Sequence, residues 1–299
     1  MTNKIAEDLI AGMRQSVRPG VLKLRNFVQG RPAARKLMAE VKSVESLVAD
    51  GRHPLHAAYS SAQNYLSVFS ELASPLREFK DFTRVVGDAE EAYMPGWPPM
   101  SPVSVTFFTS WALLDQPVAA TGETICSCAV EIGRAFGMSA DFASTLAAMG
   151  KSATGIYQHL GWQDGLVGLR DILDDQVYRC IVPSGYRGAK GELWYVRLLP
   201  PLTEAFAHGV AFTSPYVLRG TTEKDWRAFF ERQELGLARL ETPEETAVRR
   251  KALFKRGPDP NYWNEYVFLA YSSASDNAIE LYGIPDHPET LPHGDRRRR

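Results

Sequence analysis

Leu193-Trp194-Tyr195-Val196-Arg197-Leu198-Leu199 is the stretch whose reading decides the fold. Seven residues rich in aromatic and branched side chains, bounded by Gly191-Glu192 and Pro200-Pro201, read as a β-strand. Period-two geometry puts Trp194, Val196 and Leu198 on one face and Leu193, Tyr195 and Arg197 on the other. The uncharged set is the expected core face, and the set holding Arg197 the expected outer one. Similar short segments flank it: Gly155-Ile156-Tyr157, Leu166-Val167-Gly168-Leu169, Val177 to Val182, and Val210-Ala211-Phe212. Between them lie Gly161 to Gly165, Asp174-Asp175 and Pro183 to Gly191, which favour turns. Residues 154–220 therefore read as a small antiparallel β-meander or barrel.

On the N-terminal side the pattern is helical. Leu37, Val41, Val44 and Val48 are spaced as one face of a helix starting near Pro32 and closed by Asp50-Gly51. A second stripe, from Leu55 through Tyr59, Ala62, Leu66, Phe69, Leu72 and Leu76 to Phe79, predicts a helix that Pro75 kinks or splits. Residues 1–92 form this helical region. In residues 93–122, Pro95, Pro98, Pro99 and Pro102 forbid helix and interior strand, so Tyr93 to Val105 reads as an extended crossing that packs its aromatics. Residues 123–153 read as a helical hairpin, with one stripe closed by Gly137 and a helix from Ala140 to Met149 capped by Ser139. In residues 221–299, capping signals at Thr222–Asp225 and Thr242–Glu245 begin two helices. A third helix follows at Asn261 to Tyr271, then a strand from Ala278 to Tyr282 and a basic tail. The fold class is α+β: an N-terminal helical layer, a central small antiparallel sheet or barrel, and C-terminal helices.

Composition narrows function by exclusion. The 299 residues carry a net charge of −1, so no global charge attracts nucleic acid or membrane. No run approaches the ~18 apolar residues of a membrane helix. Three cysteines, an odd number, do not make a disulfide framework and fit a reducing cytoplasm. Locally the charge is uneven: Arg14 to Lys42 holds eight basic residues and one acid. Within that stripe Arg25, Arg31, Arg35 and Lys36 are the expected exposed cations, able to meet phosphates or acidic surfaces.

Chemistry-bearing clusters are few. Cys126 and Cys128, two apart on a helix, point about 200° from each other and cannot share an ion. No metal or cofactor motif stands elsewhere. His159, Asp171 and Cys180 are the residues a hydrolase-type site would use, although Cys180 alternates as a core residue and the Asp171–Asp175 run suits a turn. The Gly185-Tyr186-Arg187-Gly188-Ala189-Lys190-Gly191 loop is the best binding candidate. Its glycines let a ligand approach, and Tyr186, Arg187 and Lys190 offer contacts for an anion. Trp97 in the proline-rich crossing is the other docking candidate. The leading expectation is a non-catalytic cytosolic recognition or adaptor protein with a protein partner. Nucleic-acid or anion binding through the basic stripe comes second, and hydrolysis third.

Overall fold

The computed structural model describes residues 4–16, 32, 36, 39, 41–93, 102–203, 206–235, 277–284 and 287. The chain divides into two units: Met1–Glu91 with Thr109–Lys151, and Ala92–Phe108 with Ser152–Arg299.

The first unit is helical. It contains α1 (Ile5–Ser16), α2 (Val44–Ala49), α3 (Pro54–Ala73), α4 (Lys80–Tyr93), the C-terminal part of α5 (Pro102–Leu114), α6 (Ile125–Ala135) and α7 (Ala140–Lys151). The long α3 starts where His53 Nδ1 accepts the Leu55 N–H at 3.2 Å and Pro54 takes the first helical position. Its stripe Leu55, Tyr59, Ala62 and Leu66 is fully buried, and α3 packs against α6 and α7. Pro75 splits the following stretch as expected. A short 3₁₀ turn, Arg77–Phe79, buries Phe79 before α4 begins. A remote carboxylate caps α1: Glu123 accepts the N–H groups of Ile5 at 2.8 Å and Ala6 at 3.0 Å. Burial works against that charge, but these bonds, Thr121 and Lys4 overcome it and hold the Glu123 pKa below the usual carboxylate value. Thr124 and Ser127 close a capping box at the start of α6.

Three expectations need correcting in this region. The stripe Leu37–Val48 is not one continuous helix face. Residues 41–43 are non-helical, Ser43 caps a fresh start at Val44, and Leu47 is buried while Val41 and Val48 stand exposed. A new cap resets which residues face inward. The crossing also ends earlier than expected, because Pro102 opens α5, where its missing N–H costs nothing. Helix α7 runs through Gly150 to Lys151. The expected helices at 242–257 and 261–271, the basic tail at 288–299 and the crossing at 94–101 lie outside the described residues.

In the second unit, β1 (Thr154–Gln163), β2 (Leu166–Asp171), β3 (Val177–Ile181), β4 (Leu193–Leu199) and β5 (Gly209–Ala211) close a five-stranded barrel. The antiparallel meander β1–β2–β3 is joined by β4 beside β1, and β5 closes the ring, antiparallel to β4 and parallel to β3. Asp164 (φ 51°) and Gly165 (φ 76°) make the two-residue β1–β2 hairpin, which needs positive φ at both positions. The next turn is built by aspartates: Asp171 Oδ1 accepts the Leu173 N–H at 2.7 Å, and Asp174 Oδ1 the Gln176 N–H at 2.9 Å.

Strand β6 (Tyr216–Arg219), absent from the sequence reading, continues β5 along the same edge of β4. Leu198 faces Ala211 and Tyr195 faces Tyr216, so three steps along β4 match five along the partner: two extra residues bulge out. Helix α8 (Glu223–Leu235) follows, opened by the expected Thr222–Asp225 box, and β7 (Ile279–Tyr282) pairs parallel to β6.

Every residue of β4 is buried. Trp194, Val196 and Leu198 point into the barrel with Tyr157, Val167, Leu169, Cys180 and Ala211, as expected. The opposite face corrects the sequence reading. Leu193 and Tyr195 pack under Phe107 of α5 and under Trp226, Phe229 and Phe230 of α8, so that face is a second core. Even Arg197 is 1% exposed, its Nη1 bonded to Ser152 O (3.1 Å) and Oγ (2.9 Å).

Candidate functional site

The Gly185–Gly191 loop joins β3 to β4 and lies across one mouth of the barrel. Gly188 shows why the loop is glycine-rich. Its φ is +55°, and an added Cβ would collide with the Trp194 ring and lie 2.7 Å from Glu192 Oε2. That close approach lets Tyr186 pack on Trp194 with ring centroids 5.4 Å apart.

Two networks fasten the mouth. In the first, the Glu192 carboxylate accepts hydrogen bonds from Tyr186 Oη (3.1 Å), Trp194 Nε1 (3.1 Å) and Arg219 Nη1 (2.9 Å). Arg219 also pairs with Glu280 of β7, so one guanidinium ties loop, barrel and C-terminal strand. Burial opposes the Glu192 charge, but Trp194, the Ala189 backbone and Arg219 together outweigh it and keep the pKa below the usual carboxylate range. In the second network the Arg187 carbonyl oxygen accepts from Trp162 Nε1 at 2.5 Å and from His159 Nε2 at 3.1 Å. His159 Nδ1 in turn accepts the Gly161 N–H at 3.1 Å, across a bulge where Gly161 takes φ +115°. With its backbone held, Arg187 lays its guanidinium over the Trp162 ring, 4.0 Å from the centroid. The Arg187 and Lys190 side chains are exposed, and neither makes an ion pair with any described residue.

Of the sequence candidates, the structure brings Tyr186, Arg187 and Lys190 into one loop in different roles. Tyr186 is half-buried and fixes the loop, whereas the two cations face outward. Lys36 is exposed, and Trp97, Arg25, Arg31 and Arg35 lie outside the described residues. His159, Asp171 and Cys180 are not assembled. His159 pairs across to Leu169, Cys180 to Val167 and Asp171 to Tyr157, so they occupy three levels of the barrel. Both His159 nitrogens are engaged, and burial pushes the Cys180 thiol up to about 12, far from thiolate chemistry. Cys126 and Cys128 point to separate partners, Leu146 O and Glu123 Oε1. Among the described residues no group of three His, Cys, Asp or Glu could hold a metal ion. No helix among them is long and apolar enough to cross a membrane.

Trp162, Glu192 and Arg219 escaped the sequence reading. Asp164-Gly165 is a hairpin signal that extends β1 to Gln163 and so recovers Trp162 as a strand residue. Glu192 and Arg219 meet only through the β4–β6 pairing, which has no local signal. Comparison with family models, curated proteins and solved structures returns no match for this chain.

Proposed function

We propose that this chain is a non-catalytic recognition protein whose binding face is the capped barrel mouth, read by a protein partner through acidic side chains. One observation carries this: the Arg187 guanidinium is already stacked on Trp162 above a doubly held carbonyl, with no ion-pair partner among the described residues. A cation immobilised before binding loses little entropy when a carboxylate arrives, and its N–H edges suit a bidentate carboxylate. Lys190, on the same loop, adds a second charge.

Five-stranded barrels include oligonucleotide- and oligosaccharide-binding ones, which makes nucleic acid the second reading, though a fold alone implies no function. Against it, polynucleotide binding draws on many cations and on rings open for stacking. This mouth has two unpaired cations on its loop; Trp194 is buried and Tyr186 half-buried. Titration calorimetry with a short glutamate-rich peptide tests the reading. Binding to the wild type, lost in Arg187→Glu/Lys190→Glu, is expected. Equal affinity in the charge-reversed variant contradicts it, and binding of oligo-dT but not the peptide transfers the site to nucleic acid.

A further inference from the structure

His159 is 1% exposed, and its proton can be placed. A backbone N–H only donates, so the Gly161 N–H aimed at Nδ1 requires a lone pair there. The ring proton therefore sits on Nε2 and is donated to the Arg187 carbonyl. Trp162 Nε1 takes the same oxygen's second lone pair. Two side chains of β1 thus hold one carbonyl of the loop, and one of them titrates.

We propose that His159 is the positioning residue of the recognition loop and that its second proton releases the loop, making the presentation of Arg187 and Lys190 acid-sensitive. This rests on the loop being the recognition face. A second proton turns Nδ1 from acceptor to donor, setting two N–H groups against each other at 3.1 Å. The ring must then turn or leave, and the Arg187 carbonyl loses one of its two donors.

The surroundings supply little compensation. Glu192, next to β4, is the carboxylate nearby, and Arg219 already neutralises it. The loop contributes the Tyr186 phenol, hydrogen-bonded to Glu192, and Arg187, whose guanidinium is turned onto Trp162. From β4 comes the uncharged Trp194 ring at 4.8 Å, and from β2 Leu169. Asp171 stands opposite Tyr157, not His159. Burial first, against the Arg187 carbonyl and Glu192, holds His159 below its ordinary 6.5. In the opened loop the imidazole meets water and titrates near about 6.5. Sign follows: above that pH both forms are neutral and opening is pH-independent. Below it the open form takes the proton first, and opening gains up to about tenfold per pH unit until the closed form is protonated too.

Hydrogen-exchange mass spectrometry of residues 183–192 between about pH 7 and pH 5, corrected for intrinsic rates, reads this directly. In the wild type, protection is expected to fall at least about fivefold over that range. In His159→Gln, whose amide can still accept from Gly161 and donate to Arg187 but does not titrate, protection should stay flat. A flat wild-type profile overturns the proposal, and so does an equal fall in His159→Gln; the wild-type curve decides alone if the variant does not fold. No ligand enters the measurement, so a failure to bind acidic peptide would not be mistaken for a failure of the latch.

Discussion

The barrel's interior and its mouth share Trp194 and are held by opposite means. Inside, Trp194 meets Tyr157, Val167, Leu169, Val196 and Leu198, an apolar packing whose strength comes from area removed from water. At the mouth its indole N–H meets Glu192, in a network of directed bonds where each group depends on its partner. Packing of the first kind gives stability with little positional information. Bonds of the second kind contribute less net stability but fix where a loop atom sits. A protein that must hold Arg187 and Lys190 at the surface needs both.

That contrast orders the expected effects of mutation. Trp194→Ala empties the barrel's largest interior side chain and should cost about 3–5 kcal/mol in urea unfolding. A cost below about 1 kcal/mol would mean that the barrel is not the core. Glu192→Ala removes the acceptor shared by Tyr186, Trp194 and Arg219 and should cost about 2–3 kcal/mol, through groups left unpaired. The same carboxylate has its pKa lowered in the folded state. Its contribution is therefore present above about 4.5 and lost as pH falls through the folded value. Stability of the wild type should drop more steeply in that acid window than stability of Glu192→Gln. Identical profiles would remove Glu192 from the ledger of the mouth.

Smaller effects test the loop. Gly188→Ala forces a side chain into positive φ and against Trp194, so thermal unfolding should show a loss of about 1–2 kcal/mol. No loss would show that the loop does not rest on the ring. Replacing Arg187 and Lys190 together by alanine should leave stability within about 1 kcal/mol, since both are exposed and unpaired among the described residues. A larger loss would make them structural and undercut their availability to a partner.

Strand β4 shows how far sequence reasoning reaches. Alternation separates Trp194 from Tyr195 correctly, because the pleat is a local property. It is silent on whether the second face is covered, since the cover comes from Phe107 and from Trp226, Phe229 and Phe230, distant in sequence. Arg197 misled for the same reason: a charge signals solvent only until the fold carries it inside, where Ser152 accepts two hydrogen bonds from its Nη1. Pro75 and Thr222–Asp225 were legible because breakers and caps act within a few residues. The parallel β3–β5 closure, with no local signature, was not. At the candidate site the exposed chemistry of Arg187 and Lys190 could be read from residue type. The His159 and Trp162 bonds that position it could not, because they depend on a bulge and on strand pairing.

The central claim is that the loop binds through cations held in place beforehand, and Trp162→Ala tests it without altering any charge. The variant keeps Arg187 and Lys190 but loses both the stacking platform and one donor to the Arg187 carbonyl. Titrated with the glutamate-rich peptide at neutral pH, it should bind at least about fivefold more weakly than the wild type, with a held cation–π contact of about 1 kcal/mol setting the scale. Affinity equal to that of the wild type would contradict the account.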